Sequence, residues 1–190
     1  MTDKLVFEDG DVAIVKYFPS LLHPCIRGFN NISFPRRIVR FLLNCLSGAV
    51  VYYLKDKSNG GGIIGYCMLH KGKAFHYRYA KADDLTIGPI YVNSRWRGKG
   101  LSIRLLSHVL LDNQRAKNVY AYISRTNTPS NALFARMGFV QTGYIRISRF
   151  LKQACHSEDS GMEYRLFRLD MTQWSLEKTG SGKEGEQASI

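Results

Sequence analysis

The sequence predicts an α+β domain, with a mixed, mostly antiparallel central sheet flanked by helices. Three observations lead there. Short runs with β-branched and aromatic bias recur along the whole chain, among them Ala49–Leu54, Leu85–Val92 and Asn118–Ser124. Apolar residues at helical spacing are confined to a few stretches between those runs. One segment, IYVNSRWRGKGLSIRLLSHVLL from Ile90 to Leu111, reads as the end of a strand, a glycine turn and an amphipathic helix.

Taken in order, Leu5–Phe7 and Ala13–Tyr17 read as a strand and its continuation, broken at the Asp9-Gly10 turn. Helical spacing between Pro19 and Leu46 predicts two helices, the second containing Arg37, Ile38, Phe41, Leu42 and Cys45. Ala49–Leu54 and Ile63–Leu69 are strands. The run Lys57-Ser58-Asn59-Gly60-Gly61-Gly62 between them reads as a hairpin turn, because it opens no helix that could hold a phosphate. Ala74–Ala80 reads as a strand extension or a loop. Leu85–Val92 is the central strand, with Gly88-Pro89 marking a bulge or splayed position, since proline cannot donate to a ladder. Val119, Ala121 and Ile123 alternate in the strand Asn118–Ser124. Asn127-Thr128-Pro129 opens a helix to Arg136 that Met137-Gly138 ends. Phe139–Phe150 and Met162–Leu169 read as two long strands joined by a polar loop through His156 and Gly161. The predicted domain spans 1–174, and the Gly-, Ser-, Lys- and Glu-rich residues 175–190 are expected to be a disordered tail.

At 190 residues and 45% hydrophobic content the chain has the size and composition of one globular domain. Its N-terminus, MTDKLVFEDG, lacks the apolar core of a cleavable signal. Ile38–Leu54, the most apolar stretch, is broken by Arg40, Asn44 and Gly48 and is too short to span a bilayer. Cys25, Cys45, Cys67 and Cys155 form no Cys-x-x-Cys pair, so they read as reduced thiols and not as a metal site. The expectation is a soluble cytoplasmic protein. The net charge of +12 favours anionic partners. Nucleic acid is the less favoured one, because the cations are scattered and no zinc-finger spacing, RNA-binding signature or basic heptad region appears.

The glycine turn carries the chemistry. A strand that stops at closely spaced glycines and opens a helix aims unpaired N–H groups and the positive end of the helix dipole at one place. Such a place binds anions, most often phosphate. Lys99 is followed by Gly100 and not by Ser or Thr, which excludes a P-loop. Ile103 stands where the dinucleotide fingerprint needs a small residue, which excludes that motif too. What remains is Arg95-Trp96-Arg97-Gly98-Lys99-Gly100, which resembles the Arg/Gln-x-x-Gly-x-Gly/Ala signature of the GNAT N-acetyltransferases. A second stretch, Asn127-Thr128-Pro129-Ser130-Asn131-Ala132-Leu133-Phe134-Ala135-Arg136-Met137-Gly138-Phe139, is similar to the other hallmark of that family, Asn-x-x-Ala/Ser-x-x-Leu-Tyr-x-x-x-Gly-Phe. On its own Asn127 would read as a helix cap.

The resemblance covers residues 4–170 and implies a GNAT-like (acyl-CoA N-acyltransferase) fold. It implies acetyl-CoA as cofactor and transfer of its acetyl group to a primary amine. Main-chain groups of Ile90, Tyr91 and Val92 would pair with the pantetheine arm, and one of their N–H groups would polarise the acetyl carbonyl. Arg97, Gly98, Lys99, Gly100, Leu101 and Ser102 would wrap the pyrophosphate, and Asn127 would bond the pantetheine. The family's tyrosine, proposed as acid to the leaving thiolate, is here Phe134, which has no proton to give. Tyr91 or Tyr144 are the substitutes considered. Asp84 occupies the position of the base glutamate of the histone-acetylating branch, with His76 a further candidate and a solvated strand-entry carboxylate the plain alternative. Ile87-Gly88-Pro89-Ile90 looks like a branch associated with bacterial surface-glycan synthesis, which points to an amino sugar, free or nucleotide-linked, as the small-molecule amine, with peptide N-termini, lysines, polyamines and antibiotics left open. The alternative is a catalytically weak acyl-CoA-binding sensor, favoured by Phe134. Oligomeric state is left open.

Overall fold

The computed structural model describes residues 3–19, 38, 39, 42, 45, 47–58, 60–72, 74–149 and 153–174. Nine strands form one sheet in the order β1-β2-β3-β4-β5-β6-β9-β7-β8. They are β1 (Lys4–Glu8), β2 (Val12–Tyr17), β3 (Val50–Asp56), β4 (Ile63–Lys71), β5 (Leu85–Val92), β6 (Asn118–Ser124), β7 (Val140–Ile147), β8 (Ala154–Ser157) and β9 (Tyr164–Asp170). Two helices are fully described, α1 (Leu101–Leu111) and α2 (Thr128–Arg136). Every strand pair in the sheet is antiparallel except β5 with β6. The mixed, mostly antiparallel sheet is thus as the sequence predicts.

Both helices pack on one face of the sheet. Leu105, Leu106, Val109 and Leu110 of α1 meet Ile14, Tyr52, Leu54, Cys67 and Leu69, while Phe134 and Met137 continue the same core over Val119, Ala121 and Ile123. Those spacings are why the two stretches fold as helices: each places one apolar stripe against the alternating inner residues of the strands. The opposite face carries Tyr17, Val51, Tyr53, Tyr66 and Met68 on one half. Its other half carries Tyr77, Tyr79, Tyr120, Tyr122 and Tyr164 packed around Ile145, Ala154 and Leu166.

The far end of α1 is tied down by polar contacts. Lys16 Nζ and Tyr52 Oη both donate to Asp112 Oδ2 at 2.7 Å, and Asn113 Nδ2 donates to Tyr52 Oη at 2.7 Å. Burial works against the charge of Asp112, but the Lys16 and Tyr52 hydrogen bonds outweigh it and hold the carboxyl below its ordinary range.

Two differences from the sequence reading concern connectivity. Leu5–Phe7 and Ala13–Tyr17 are not one strand and its continuation but an antiparallel hairpin. Asp9 N–H donates to the carbonyl of Val12 at 3.0 Å, and Asp9 Oδ1 accepts from Gly10 N–H at 2.6 Å. The predicted Phe139–Phe150 strand ends at Ile147, and the polar loop after it contains β8, which pairs with β7. Ala154-Cys155-His156-Ser157 has no apolar alternation, so nothing local announces a strand. The Lys57–Gly62 hairpin turn is as expected, with Gly60 and Gly61 at φ +72° and +76°. Of the two helices predicted between Pro19 and Leu46, residues 38, 39, 42 and 45 are helical, and the remainder lies outside the described residues, as do residues 175–190.

Candidate active site

The site begins with an interruption in the sheet. β5 pairs with β6 only through Leu85–Val119, Thr86–Tyr120 and Ile87–Ala121. On its other side β5 stays paired with β4 up to Gly65–Val92, but Gly88 and Pro89 together oppose Met68 alone, a bulge. The extra residue increases local twist, and Pro89 has no N–H to give a ladder. Beyond Ile87, therefore, β5 and β6 diverge, and the edge of Ile90–Val92 that faces β6 has no ladder partner among the described residues. The resulting slot, about 270 Å³, runs between Gly88–Ile90 on one side and Tyr122–Ser124 on the other, with Asn127, Ser130, Phe134 and Tyr164 closing it.

The slot leads to a larger cleft of about 470 Å³ over the glycine turn. After β5, Asn93 Oδ1 accepts from Arg95 N–H at 3.1 Å and starts a short 3-10 turn, Ser94–Trp96. Gly98 and Gly100 then adopt φ +77° and +71°, the left-handed region that only glycine enters without strain. A Cβ built on either glycine would point into open space. Gly100 is the N-cap of α1 and offers no side chain to its first turn, so the N–H groups of that turn face the cleft uncapped. Arg97 is fixed by donation from Nε to the carbonyl of Val92 at 3.1 Å. With the dipole of α1 added, this end of the cleft is an anion cradle built mainly from backbone.

On the opposite wall Asn127 caps α2. Its Oδ1 accepts from Ser130 N–H at 3.2 Å, while its NH2 makes no hydrogen bond among the described residues. Asn127 lines both cavities, so the cap leaves its donors available to a ligand. Phe134 is buried at 2% exposure, edge-on against Phe139 with ring centroids 4.9 Å apart.

The residues predicted from sequence therefore sort cleanly. Ile90, Tyr91, Val92, Arg97, Gly98, Gly100, Leu101, Ser102 and Asn127 line the one cleft, joined by Trp96, Pro129, Ser130 and Leu133. Lys99 does not line it; its Nζ sits 4.8 Å over the Trp96 ring. Tyr91 is 44% exposed and stacks on Tyr66 at 5.7 Å, with its ring on the sheet face away from the helices. Tyr144 and His76 line neither cavity.

Asp84 is not brought to the site. It lies just before β5, six residues and about 20 Å of extended chain from Ile90. It is buried at 2% exposure. Oδ1 accepts from Asn118 Nδ2 and Oδ2 from Lys81 N–H, each at 2.8 Å. Those bonds close the loop against β6 and leave the carboxylate a structural task. Sequence reasoning missed Tyr122 and Tyr164, which reach the slot from β6 and β9. The Glu163 hydrogen bond, with burial adding to it, holds the Tyr164 phenol above its ordinary range, so it keeps its proton at neutral pH.

A family model described as the acetyltransferase (GNAT) family matches residues 20–139, well over half of the chain. The chain belongs to that family. An L-2,4-diaminobutyric acid acetyltransferase of Vibrio parahaemolyticus is 29% identical over 109 residues, 54% of this chain. The match spans 60% of that relative's length. Solved structures share the fold at low identity. An IAA acetyltransferase from Bacillus cereus superposes with TM-score 0.58 at 16% identity, covering 84% of this chain and 99% of that one. The yncA acetyltransferase of Salmonella typhimurium, solved with acetyl-CoA, gives 0.50 at 20% identity over 77% of this chain and 78% of its own.

The cofactor of the GNAT family is acetyl-CoA, and the residues present fit it. Left-handed glycines whose missing Cβ atoms leave the cradle open, uncapped α1 N–H groups and Arg97 suit a pyrophosphate. The unpaired edge of Ile90–Val92 suits an amide-bearing arm. No helix among the described residues is long and apolar enough to cross a membrane.

Proposed function

We propose that this chain is an acetyl-CoA-dependent N-acetyltransferase acting on a small primary amine that also carries an anionic group. The observation that carries the reading is the continuity of three features: an anion cradle at α1, an unpaired strand edge at Ile90–Val92, and a slot between β5 and β6. Bound acetyl-CoA supplies the activated acetyl group. The N–H groups of the first turn of α1 and Arg97 hold the pyrophosphate. Main-chain groups of Ile90, Tyr91 and Val92 and the NH2 of Asn127 hold the pantetheine arm. An N–H on the β5 edge withdraws charge from the acetyl carbonyl, and it does so from a backbone already fixed by β4. With Phe134 in place of tyrosine, the phenols of the slot are those of Tyr122 and Tyr164, and Tyr164 is the one that would give a proton to the departing thiolate.

Two features support an anionic acceptor: the net charge of +12, and cavity walls with no carboxylate among the described residues. A nucleotide-linked amino sugar and a diamino acid both meet that description. The second is favoured by the diaminobutyric acid acetyltransferase relative. We assign the domain to residues 1–174 and the protein to the cytoplasm.

Coenzyme A release from acetyl-CoA tests this, with 2,4-diaminobutyrate, a nucleotide-linked amino sugar and spermidine as separate acceptors. Release with either anionic acceptor exceeding that with spermidine is the expected result. Spermidine as the preferred acceptor would overturn the anionic class. Tight acetyl-CoA binding without release from any amine would favour the second reading, an acyl-CoA sensor, which Phe134 supports.

A further inference from the structure

The tyrosine face of the sheet gives the slot a second way in. The cofactor cleft lies on the helix side, where the first turns of α1 and α2 line it, and neither Tyr122 nor Tyr164 borders it. Both border the slot, which therefore passes through the sheet to the face that carries their rings. Strand register fixes where along the slot each ring stands. The last rung between β5 and β6 is Ile87–Ala121, so Tyr122 is the first β6 residue beyond the split that opens at the Gly88-Pro89 bulge. Tyr164 pairs with Ser124, two residues and about 7 Å of strand further toward the mouth. The Tyr122 ring is held by the rings of Tyr164 at 5.6 Å and Tyr77 at 6.5 Å. Its hydroxyl has no hydrogen-bond partner among the described residues. Nor is it sealed: among those residues the buried side-chain oxygens without a partner are Tyr79 Oη, Thr86 Oγ1, Asn131 Oδ1 and Thr142 Oγ1. Burial holds the Tyr122 phenol above its ordinary range, so it is uncharged at neutral pH.

We propose that Tyr122 docks the acceptor: its Oη, on the slot wall beside the strand split, accepts a hydrogen bond from the N–H of the attacking primary amine. This rests on the N-acetyltransferase reading and goes beyond it by naming the residue that receives the acceptor. The anion cradle lies past Val92 and the split lies before Ile90, so the unpaired edge between them aligns an extended arm with its reactive end at the split. The phenols fall in the matching order. Tyr122 stands by the split, where the carbonyl belongs, and Tyr164 stands toward the mouth, where the sulfur belongs. With the helix side taken by the cofactor, the tyrosine face is the approach left to a nucleophile. The slot's serines are placed differently: Ser124 Oγ is 3.0 Å from Thr126 Oγ1, and Ser130 also lines the cofactor cleft. An uncharged phenol suits the task, because a carboxylate there would hold the amine as an ammonium ion with no lone pair to attack. As nitrogen bonds to the carbonyl carbon, the carbon–sulfur bond breaks. Tyr164 gives its proton to the thiolate and regains one from water, which takes the surplus proton from nitrogen.

Tyr122→Phe removes the oxygen and keeps the ring, so it tests the assignment without disturbing the packing. Calorimetry on coenzyme A-loaded protein reads amine binding, with 2,4-diaminobutyrate or the nucleotide-linked amino sugar, whichever is acetylated. Affinity for that amine should fall at least tenfold in Tyr122→Phe and stay within twofold in Tyr164→Phe. Both variants should bind acetyl-CoA within twofold of the wild type. Turnover should divide in the same way, with Tyr122→Phe raising KM for the amine and Tyr164→Phe lowering kcat. Carbon NMR of protein labelled at the tyrosine Cζ gives a readout independent of turnover, and the Tyr122 signal should move when the amine is added. Wild-type amine affinity in Tyr122→Phe, a greater loss of it in Tyr164→Phe, or an unmoved Tyr122 signal overturns the docking role alone. Failure of the wild type to bind acetyl-CoA, or binding without release of coenzyme A from any amine, overturns the transferase reading and the docking role with it.

Discussion

The two ends of β5 are built from adjacent residues and behave as opposites. At the Leu85–Ile87 end the strand is paired on both sides, and Asp84 bridges Asn118 of β6 and the N–H of Lys81. At the Ile90–Val92 end one ladder has stopped, and the exposed edge borders both cavities. Helix α1 repeats the pattern. Its first turn is uncapped and faces the cleft, whereas its last is locked through Asp112 to Tyr52 and Lys16. The binding site is thus made by leaving backbone groups unpaired at one end while the other end supplies the rigidity that keeps them in place. Open-end changes should alter ligand affinity and turnover, and closed-end changes should alter stability.

The largest effect is expected at the cradle. Gly100→Trp places a bulky side chain where a Cβ has open space and forces a left-handed φ on a non-glycine residue. Acetyl-CoA affinity by calorimetry should fall by about 100-fold or more, as lost main-chain contacts to a phosphate imply. An affinity near that of the wild type would break the assignment of the cradle. Tyr164→Phe comes next. If its hydroxyl supplies the leaving group's proton, kcat should drop by about 10²-fold with acetyl-CoA affinity unchanged; a kcat within threefold would remove that role.

At the closed end, Asp84→Asn should cost about 1–3 kcal/mol of stability, because one donor loses its charged partner in a buried place. Denaturant melts measure this. A collapse of kcat without loss of stability would restore Asp84 as a base. Asp112 makes a pH statement of the same kind. Its carboxyl is depressed in the fold, so its contribution is complete above the unfolded carboxylate value, about 3.9, and is lost as pH falls through the lower folded value. Asp112→Asn should flatten that part of the acid-unfolding curve. The smallest effect is expected at Lys99, whose ammonium rests on Trp96 outside the cleft wall. Lys99→Ala should weaken acetyl-CoA by about twofold to fivefold, the scale of an exposed charge, and the loss should fade with added salt.

The open end was legible in the sequence because its devices are local. Gly88-Pro89 marks where the ladder fails, Gly98 and Gly100 mark the left-handed turn, and Asn127 with Pro129 marks the start of α2. What was not legible depends on partners distant in sequence. The spacing of Asp84 from Gly98 suits a base, but its hydrogen bonds come from Asn118 and from the loop behind it. Tyr164 reaches the slot because β9 inserts between β6 and β7, an order that no local pattern encodes. β8 escaped notice because it is four residues long and takes its register from β7.

The chain has two tryptophans, and the fold puts them in contrasting surroundings. Trp96 lines the cleft beneath the Lys99 ammonium, whereas Trp174 is sealed in the core at 6% exposure. The protein therefore carries its own optical gauge of occupancy. A ligand settling on the turn changes the polarity around one indole while the other gives a constant emission, so binding can be followed by light without attaching a label.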